Sequence, residues 1–136
     1  MLKQTILGAA FAGLALVTTA SAHDTGDKVT PNFEQAIPNI PGKTLTALVV
    51  DYAPGAASAP HVHSKTGFVY AYVIEGSIES KVNDGAAHVY KAGESWSEPP
   101  GATHSISRNA SQTKPARLLA VFVADTGDKD LTRYLK

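Results

Sequence analysis

Two histidines separated by a single residue, His61 and His63, stand just before a run of aromatic and β-branched residues. Along an extended chain, residues i and i+2 face the same way, so both imidazoles would project from one face. Two imidazoles on one face can share a metal ion at about 2.0–2.1 Å from each nitrogen. The pair alone favours a plainer interpretation, two exposed histidines in a loop, because so short a motif often occurs by chance.

A third histidine, His104, ends a turn rich in proline and glycine within GESWSEPPGATHSISRN, residues 93–109. With these residues, the region 55–109 resembles the cupin family, whose first motif is G-x5-H-x-H-x(3,4)-E-x6-G and whose second motif is G-x5-P-x-G-x2-H-x3-N. The second pattern fits except at its end, where Asn109 falls one residue late and Arg108 holds the expected place. The matching positions are Gly55, His61, His63, Gly76, Gly93, Pro99, Gly101 and His104.

The resemblance to cupins, in particular to small single-domain bacterial ones, implies an all-β fold, a double-stranded β-helix barrel of jelly-roll type. It also implies that His61, His63 and His104 converge inside the barrel on one divalent metal ion, which could be iron, nickel, manganese or zinc. The barrel domain is expected to span residues 43–126.

The glutamate of the first cupin pattern is missing, because the positions at which it is expected hold Gly67, Phe68 or Val69. Three explanations remain open: the site binds no metal, three histidines bind it with open coordination positions, or another carboxylate takes part. Glu98 is the candidate carboxylate, since it precedes the turn that leads to His104 and a glutamate recurs there in three-histidine cupins. We favour a three-histidine site with Glu98 in the pocket, against the alternative that Glu98 is an exposed edge charge.

Such a site suits catalysis, because open coordination positions admit substrate or dioxygen. The resemblance implies a small-molecule dioxygenase of the Fe(II) type, or a related lyase or isomerase, in which Glu98 positions or deprotonates the substrate. Three neutral imidazoles leave the metal its full charge, which favours anionic, bidentate substrates such as enolates. The competing hypothesis is a non-catalytic domain that binds a metal or a small ligand.

Short runs of β-forming residues broken by turn residues follow residue 43, and no amphipathic helix is evident. About seven strands are predicted, over residues 44–52, 68–75, 77–83, 86–93, 94–98, 103–109 and 117–125. Asp84-Gly85 predicts a type I′ hairpin turn. Residues 23–42 are expected to form an extended N-terminal arm, and residues 127–136 a charged C-terminal tail with a short helical turn.

The first 22 residues have the anatomy of a secretory signal peptide: Lys3, an apolar stretch over 5–17, and the small residues Ala20-Ser21-Ala22. The apolar stretch is shorter than the roughly 20 residues that a membrane-spanning helix needs. Cleavage after Ala22 would make His23 the first residue and would place the protein in the periplasm or outside the cell.

Composition narrows the possible partners. The 12 basic and 12 acidic residues balance, and no basic run predicts binding to nucleic acid or to an anionic membrane. Without cysteine, any metal must be bound by nitrogen or oxygen. The expected partners are a small-molecule ligand or substrate and, from the resemblance, a second copy paired through edge strands.

The remaining aromatic and charged candidates are less specific. Tyr70, Tyr72, Trp96 and Phe122 are predicted as core residues, although one tyrosine could present its hydroxyl to the pocket. Arg108 shares parity with His104 and could face inward, but a surface position is favoured. His88 and His23 are not expected to bind the metal.

Overall fold

The computed structural model describes residues 25–136, so the predicted leader and His23 lie outside the described residues. This part of the chain forms ten β-strands and no helix. No segment of it is a helix of the length and apolarity needed to cross a membrane. The strands are β1 (Asp27–Ala36), β2 (Lys43–Tyr52), β3 (His61–His63), β4 (Phe68–Glu75), β5 (Ser77–Val82), β6 (His88–Lys91), β7 (Ser95–Glu98), β8 (Thr103–Asn109), β9 (Ala116–Asp125) and β10 (Thr132–Tyr134).

The strands form two five-stranded antiparallel sheets that face each other. Sheet A has the order β1-β2-β9-β4-β7, and sheet B has the order β10-β3-β8-β5-β6. The chain crosses between the sheets at Gly76, whose φ of +72° suits glycine. A side chain there would meet the Pro115 carbonyl oxygen at 2.6 Å. The prediction of an all-β jelly roll is confirmed.

All seven predicted strands are present, and three more were not predicted as strands. β1 lies within the expected N-terminal arm and pairs with β2 from Asp27 to Ala36. It is an edge strand exposed along most of its length, so its sequence lacks the alternation that identifies a half-buried strand. β3 and β10 have only three residues each. β10 takes the place of the helical turn expected in the tail.

The hairpin between β5 and β6 forms, but not through the predicted turn. Asn83, rather than Asp84 or Gly85, has the positive φ, at 49°. Asn83 tolerates this conformation, and its side-chain oxygen accepts a hydrogen bond from the Thr103 backbone at 2.9 Å. The turn therefore ties the hairpin to the start of β8.

The late asparagine of the second motif has a local cause. Opposite Lys81 and Val82 of β5, the register of β8 shifts: Lys81 pairs with Ile106 but Val82 pairs with His104. The bulge inserts one residue after His104, and Asn109 arrives one position late. Its buried amide still reaches the carbonyls of Ala53 and Lys114 at 3.2 and 2.7 Å.

The core lies between the two sheets and comes largely from alternate residues of sheet A. Alternation along β4 buries Val69, Ala71 and Val73, while Ile78 of β5 is the main apolar contribution from sheet B. Because one face of every central strand is buried, the register is firmly specified. This fixed register positions the site residues.

Candidate metal centre

Two strands of sheet B bring the three histidines together. His61 and His63 are the first and last residues of β3 and face inward, with exposed fractions of 7% and 6%. β3 pairs with β8 so that His61 lies opposite His104, which is 4% exposed. Alternation along β3 and this single cross-strand pair therefore create the cluster.

The three imidazoles are close enough to share one ion. One ring nitrogen from each of His61, His63 and His104 lies within 4.8 Å of the others. The His61 ring centroid is 4.8 Å from that of His63 and 5.0 Å from that of His104. In the described part of the chain, these residues form the group suited to holding a metal ion.

Each ring is fixed by a hydrogen bond on its outer nitrogen. The His61 Nδ1–H donates to the Ala59 carbonyl at 2.8 Å, and the His63 Nδ1–H faces Thr132 Oγ1 at 3.2 Å. Ser80 Oγ lies 2.8 Å from Nε2 of His104. Partners of this kind set the tautomer of a metal-binding histidine and orient its ring.

Glu98 completes the cluster from the opposite sheet. It is 2% exposed, so it is not an exposed edge charge. Its partner across the strand pair is Val69 of β4, and Val69 is a position at which the first motif would have its glutamate. Residues directly opposite on paired strands share a face. The carboxylate is therefore supplied by β7 rather than by β4.

The Glu98 carboxylate provides a test of whether the site suits a cation. Its Oε1 accepts a hydrogen bond from Trp96 Nε1 at 3.1 Å. Its Oε2 lies 3.0 Å from His63 Nε2 but is buried without a hydrogen bond among the described residues. An imidazole nitrogen and a carboxylate oxygen are both metal ligands, and about 3.0 Å is the separation of adjacent ligands in an octahedral site. The four residues fit a divalent metal.

Burial also sets the protonation states needed for metal binding. Burial lowers the pKa of His104 to about 4, and it lowers the pKa of His61 as well. Burial opposes ionisation of the Glu98 carboxyl, but the neighbouring His63 and His104 outweigh it and hold the pKa of Glu98 below the usual range. At neutral pH His61 and His104 are therefore neutral and Glu98 is a carboxylate, the forms that bind metals.

A cavity of about 180 Å³ between the sheets adjoins the cluster. The histidines and Glu98 line one side of it, and three hydroxyl groups, from Tyr52, Ser58 and Ser107, line another part. The other walls are mostly apolar: Val29, Leu48, Val50, Val69, Ala71, Leu118, Ala120 and Phe122. A separate, wider surface cleft of about 670 Å³ reaches His63 from the side of Lys65 and Arg133.

The C-terminal strand β10 is a part of the site that the sequence did not reveal. Thr132 and Tyr134 line the cavity, and the Tyr134 ring lies 5.9 Å from that of His61. Thr132 pairs with His63 and Tyr134 with His61. Thr132 and Tyr134 are two residues apart, as side chains on one face of a strand are, but a strand of three residues is too short to be identified from sequence.

The other candidates lie away from the metal cluster. Tyr70 and Tyr72 face outward from sheet A, since they alternate with the cavity-lining Val69 and Ala71. Arg108 is exposed and pairs with Glu79 at 2.5 Å, because the bulge in β8 reverses the parity counted from His104. His88 is exposed and its ring packs edge-on against that of Tyr90. Trp96 and Phe122 do face inward.

Comparison with known proteins agrees with this geometry. The family described as "Cupin domain" matches residues 48–122. A germin-like protein of Arabidopsis thaliana, subfamily 2 member 2, is 29% identical over 82% of this chain and 51% of its own length. The rhicadhesin receptor of Pisum sativum is 28% identical over 82% of this chain and 52% of its own length. The chain thus spans about half the length of these curated relatives.

Solved structures share the fold at low sequence identity. A Klebsiella pneumoniae protein with a double-stranded β-helix domain gives a TM-score of 0.63 at 22% identity, covering 83% of this chain and 87% of that one. Recombinant oxalate oxidase in complex with glycolate gives 0.59 at 23% identity, covering 76% of this chain and 53% of that one.

Proposed function

The chain belongs to the cupin family, and on that basis we propose that it is an exported metal-dependent enzyme, a dioxygenase acting on a small anionic substrate. The observation that carries the proposal is the buried cluster of three imidazoles and one carboxylate beside a small cavity. A bound divalent metal would supply Lewis acidity and, as iron, the electron transfer that dioxygen chemistry requires.

The three histidines would bind the metal, and the hydrogen bonds that each imidazole makes on its other nitrogen would keep the ring in place. Ala59, Thr132 and Ser80 occupy the outer nitrogens of the rings, so little rotation remains to be lost on binding. The mostly apolar walls lower the local dielectric constant, which strengthens each charge interaction within the cavity. Its volume, well below the roughly 300 Å³ of drug-sized pockets, restricts substrates to small molecules.

Glu98 would handle the substrate's proton. Loss of a proton converts an enolisable substrate into an enolate, which chelates a metal strongly through two oxygens, and Oε2, which has no hydrogen bond among the described residues, can accept that proton. Burial opposes the charge, but the adjacent imidazoles lower the pKa of Glu98, so the group is ionised at neutral pH and able to accept a proton. The same oxygen could instead serve as a fourth metal ligand. Its role therefore distinguishes a catalytic site from one that only binds a metal.

The second candidate function is non-catalytic binding of a metal or a small ligand. The closeness of Glu98 to His63 and His104, at 3.0 and 3.3 Å, favours it, because three imidazoles and one carboxylate can close a zinc site. A protein of this kind would hold zinc tightly and leave no position open for substrate.

Metal analysis combined with Glu98→Gln tests the proposed function. We expect the purified protein to bind about one divalent ion per chain, measured by inductively coupled plasma mass spectrometry after loading with iron, nickel, manganese or zinc. Glu98→Gln should retain most of the metal and lose oxygen consumption with β-diketone substrates. If no metal binds, the metal centre is refuted. If Glu98→Gln releases the metal, Glu98 is a ligand and the binding function is favoured.

Moving the carboxylate provides a sharper control. Because Val69 lies opposite Glu98, the double change Val69→Glu with Glu98→Gln transfers the charge across the strand pair. We expect this variant to bind metal at least as tightly as Glu98→Gln alone, since the restored glutamate occupies the position in the cupin pattern. Isothermal titration with Mn²⁺ or Zn²⁺ measures the affinities, and weaker binding by the double variant would contradict this geometry.

The predicted leader, residues 1–22, supports the proposal of export to the periplasm or the medium. Expression of the full chain in a Gram-negative host should yield a protein that begins at His23. Mass spectrometry of the periplasmic fraction checks the terminus, and an uncleaved chain retained in the cytoplasm would contradict export.

A further inference from the structure

Three hydroxyl groups at one end of the cavity form a connected chain that the metal centre does not use. Tyr52 Oη lies 2.8 Å from Ser107 Oγ and 2.9 Å from Ser58 Oγ. Ser58 in turn donates a hydrogen bond to Asp27 Oδ2 at 2.6 Å. The hydroxyls come from β2, β8 and the loop before β3, and Asp27 is the first residue of the edge strand β1. The chain therefore leads from the cavity to the edge of sheet A.

Tyr52 is the buried centre of this chain. It is 2% exposed and Ser107 is 4% exposed, and both line the cavity that the metal cluster also lines. A buried phenol usually has a hydrogen-bond partner, and this one has a partner on each side. Burial raises the pKa of the Tyr52 phenol, so the hydroxyl keeps its hydrogen at neutral pH.

The hydrogens available to these groups give the chain a single direction. An ionised carboxylate accepts hydrogen bonds and donates none, and a hydroxyl has one hydrogen to donate. Ser58 donates its hydrogen to Asp27, so its contact with Tyr52 requires the phenol to donate. Because the phenol has no second hydrogen, its contact with Ser107 requires Ser107 to donate. Every hydrogen therefore points along the chain toward Asp27.

This direction determines what the hydroxyl end of the cavity offers to a ligand. With its hydrogen donated to Tyr52, Ser107 presents only lone pairs of Oγ to the cavity. Lone pairs attract an O–H or N–H group and repel a carbonyl, carboxylate or fluorine atom. A ligand that leaves a buried acceptor unpaired loses affinity, so the hydroxyl end favours a ligand that brings a hydrogen.

The cavity is small enough for one ligand to reach both of its ends. Its volume is about 180 Å³, which at about 30 Å³ for each water-sized group holds roughly six such groups. A short anion bound to the metal cluster would fill this space and place its far end at the hydroxyls. The mostly apolar walls between the two ends suit a short carbon chain.

We propose that Ser107, Tyr52 and Ser58 form a second binding subsite, which selects a small anionic substrate with an O–H or N–H group at the end opposite its metal-binding group. This inference rests on the proposed function for the position of the anionic group. It adds the chemical class of the substrate, which is a short hydroxy acid rather than an acid whose far end only accepts hydrogen bonds.

The first test compares ligands that differ only in this hydrogen. The probes are 4-hydroxybutanoate and 4-fluorobutanoate, with 3-hydroxypropanoate and 3-fluoropropanoate as the shorter pair, and each is titrated calorimetrically into the Zn²⁺-loaded protein. Zn²⁺ does not change oxidation state, so binding is measured without turnover. We expect the hydroxy acid of at least one pair to bind about tenfold more tightly than its fluoro counterpart. No binding, or equal binding within both pairs, overturns the proposal.

The second test reverses the chain from its far end. In Asp27→Asn the amide oxygen can keep the hydrogen bond that Thr25 donates to Asp27 Oδ1, which leaves the amide nitrogen to donate to Ser58. The hydroxyl hydrogens can then turn toward the cavity, and the subsite no longer requires a hydrogen from the ligand. The preference for the hydroxy acid should fall from about tenfold to less than about twofold.

Asp51→Asn is the matched control for the loss of one carboxylate. Asp51 precedes Tyr52 in β2 but faces outward, where it pairs with Arg117 at 2.6 Å. This variant should keep the wild-type preference, and circular dichroism verifies that both variants fold. If Asp27→Asn keeps the preference as well, the hydroxyls only connect the strands, and the proposal is overturned.

Neutron diffraction tests the direction of the chain without any bound metal. In crystals of the deuterated, metal-free protein at neutral pH, we expect the Ser107 deuterium to point at Tyr52 and the Tyr52 deuterium to point at Ser58. A Tyr52 deuterium directed at Ser107 overturns the subsite. Failure to bind Zn²⁺ would refute the proposed function and leave this measurement intact, so the two failures are distinguishable.

Discussion

The inner faces of the two sheets differ in polarity: sheet B carries most of the buried polar side chains, and sheet A most of the buried apolar ones. Among the described residues, the buried polar side chains on sheet B are His61, His63, Ser80, His104, Ser107 and Asn109, whereas Glu98 is the one on sheet A. Sheet A instead supplies most of the apolar interior, including Val50, Leu118 and Phe122. Polar groups cost free energy to bury unless they are satisfied, so concentrating them on one sheet leaves the other free to stabilise the fold.

This division makes the two inner faces separable by mutation. Changes on sheet B should affect metal binding more than folding, and changes on sheet A the reverse. Glu98 is the exception, because it belongs to the apolar sheet but reaches the imidazoles of the other.

The largest expected effect on the polar side follows from His104→Ala. Removing one of three imidazoles leaves the metal too few protein ligands, so bound metal should fall from about one ion per chain to less than roughly a tenth. The metal-free fold should persist, because sheet A retains its packing. Metal analysis together with far-UV circular dichroism measures both. Full retention of metal would show that His104 is not a ligand. Loss of the β-sheet spectrum would show that this residue of sheet B is needed for folding, against the expectation that sheet A stabilises the fold.

The reciprocal change on the apolar side is Phe122→Ala. Phe122 is 2% exposed and its ring packs 5.3 Å from that of His63. Truncation should lower the free energy of unfolding by about 3–5 kcal/mol, measured by urea denaturation of the metal-free protein. Metal should still bind under folding conditions, since no ligand is removed. A cost below about 1 kcal/mol would place the stabilising core elsewhere.

Acid should weaken the metal-free protein through the polar face. The folded pKa of His104 is about 4, against about 6.5 when unfolded. Between these values the unfolded chain binds the proton and the folded chain does not, so stability is present above pH 6.5 and lost as the pH falls toward 4. The loss from His104 is roughly 3 kcal/mol, and His61 acts in the same direction.

Urea denaturation of the metal-free protein at pH 7 and pH 4.5 measures this loss. His104→Asn should reduce the pH dependence, while His88→Asn, at an exposed position, should leave it unchanged. Equal stability at both pH values would mean that the histidines are not held neutral by burial.

The sequence predicted those parts of the site whose positions depend only on residues close by in the chain. His61 and His63 share a face because of strand alternation, and the turn before His104 has its own signature of proline and glycine. Glu98 was expected in the pocket from its place before that turn, but its pairing with Val69 across β4 and β7 could not be predicted, because it depends on the register of two strands distant in sequence. The outward position of Arg108 depends on a bulge, which counting along one strand cannot reveal. β10 was missed because edge strands this short carry little pattern.

The smallest expected effect on the polar face comes from a residue that touches a ligand rather than the metal. Ser80 lies 2.8 Å from Nε2 of His104 and would orient that ring without binding the ion. Ser80→Ala should weaken metal affinity by about 10–100-fold, as loss of such a partner typically does. Isothermal titration with Zn²⁺ measures the constant, and Ser77→Ala, a serine of β5 outside the cluster, is the matched control. A fall as large as that for His104→Ala would make Ser80 a ligand, whereas no change would mean that packing alone orients His104.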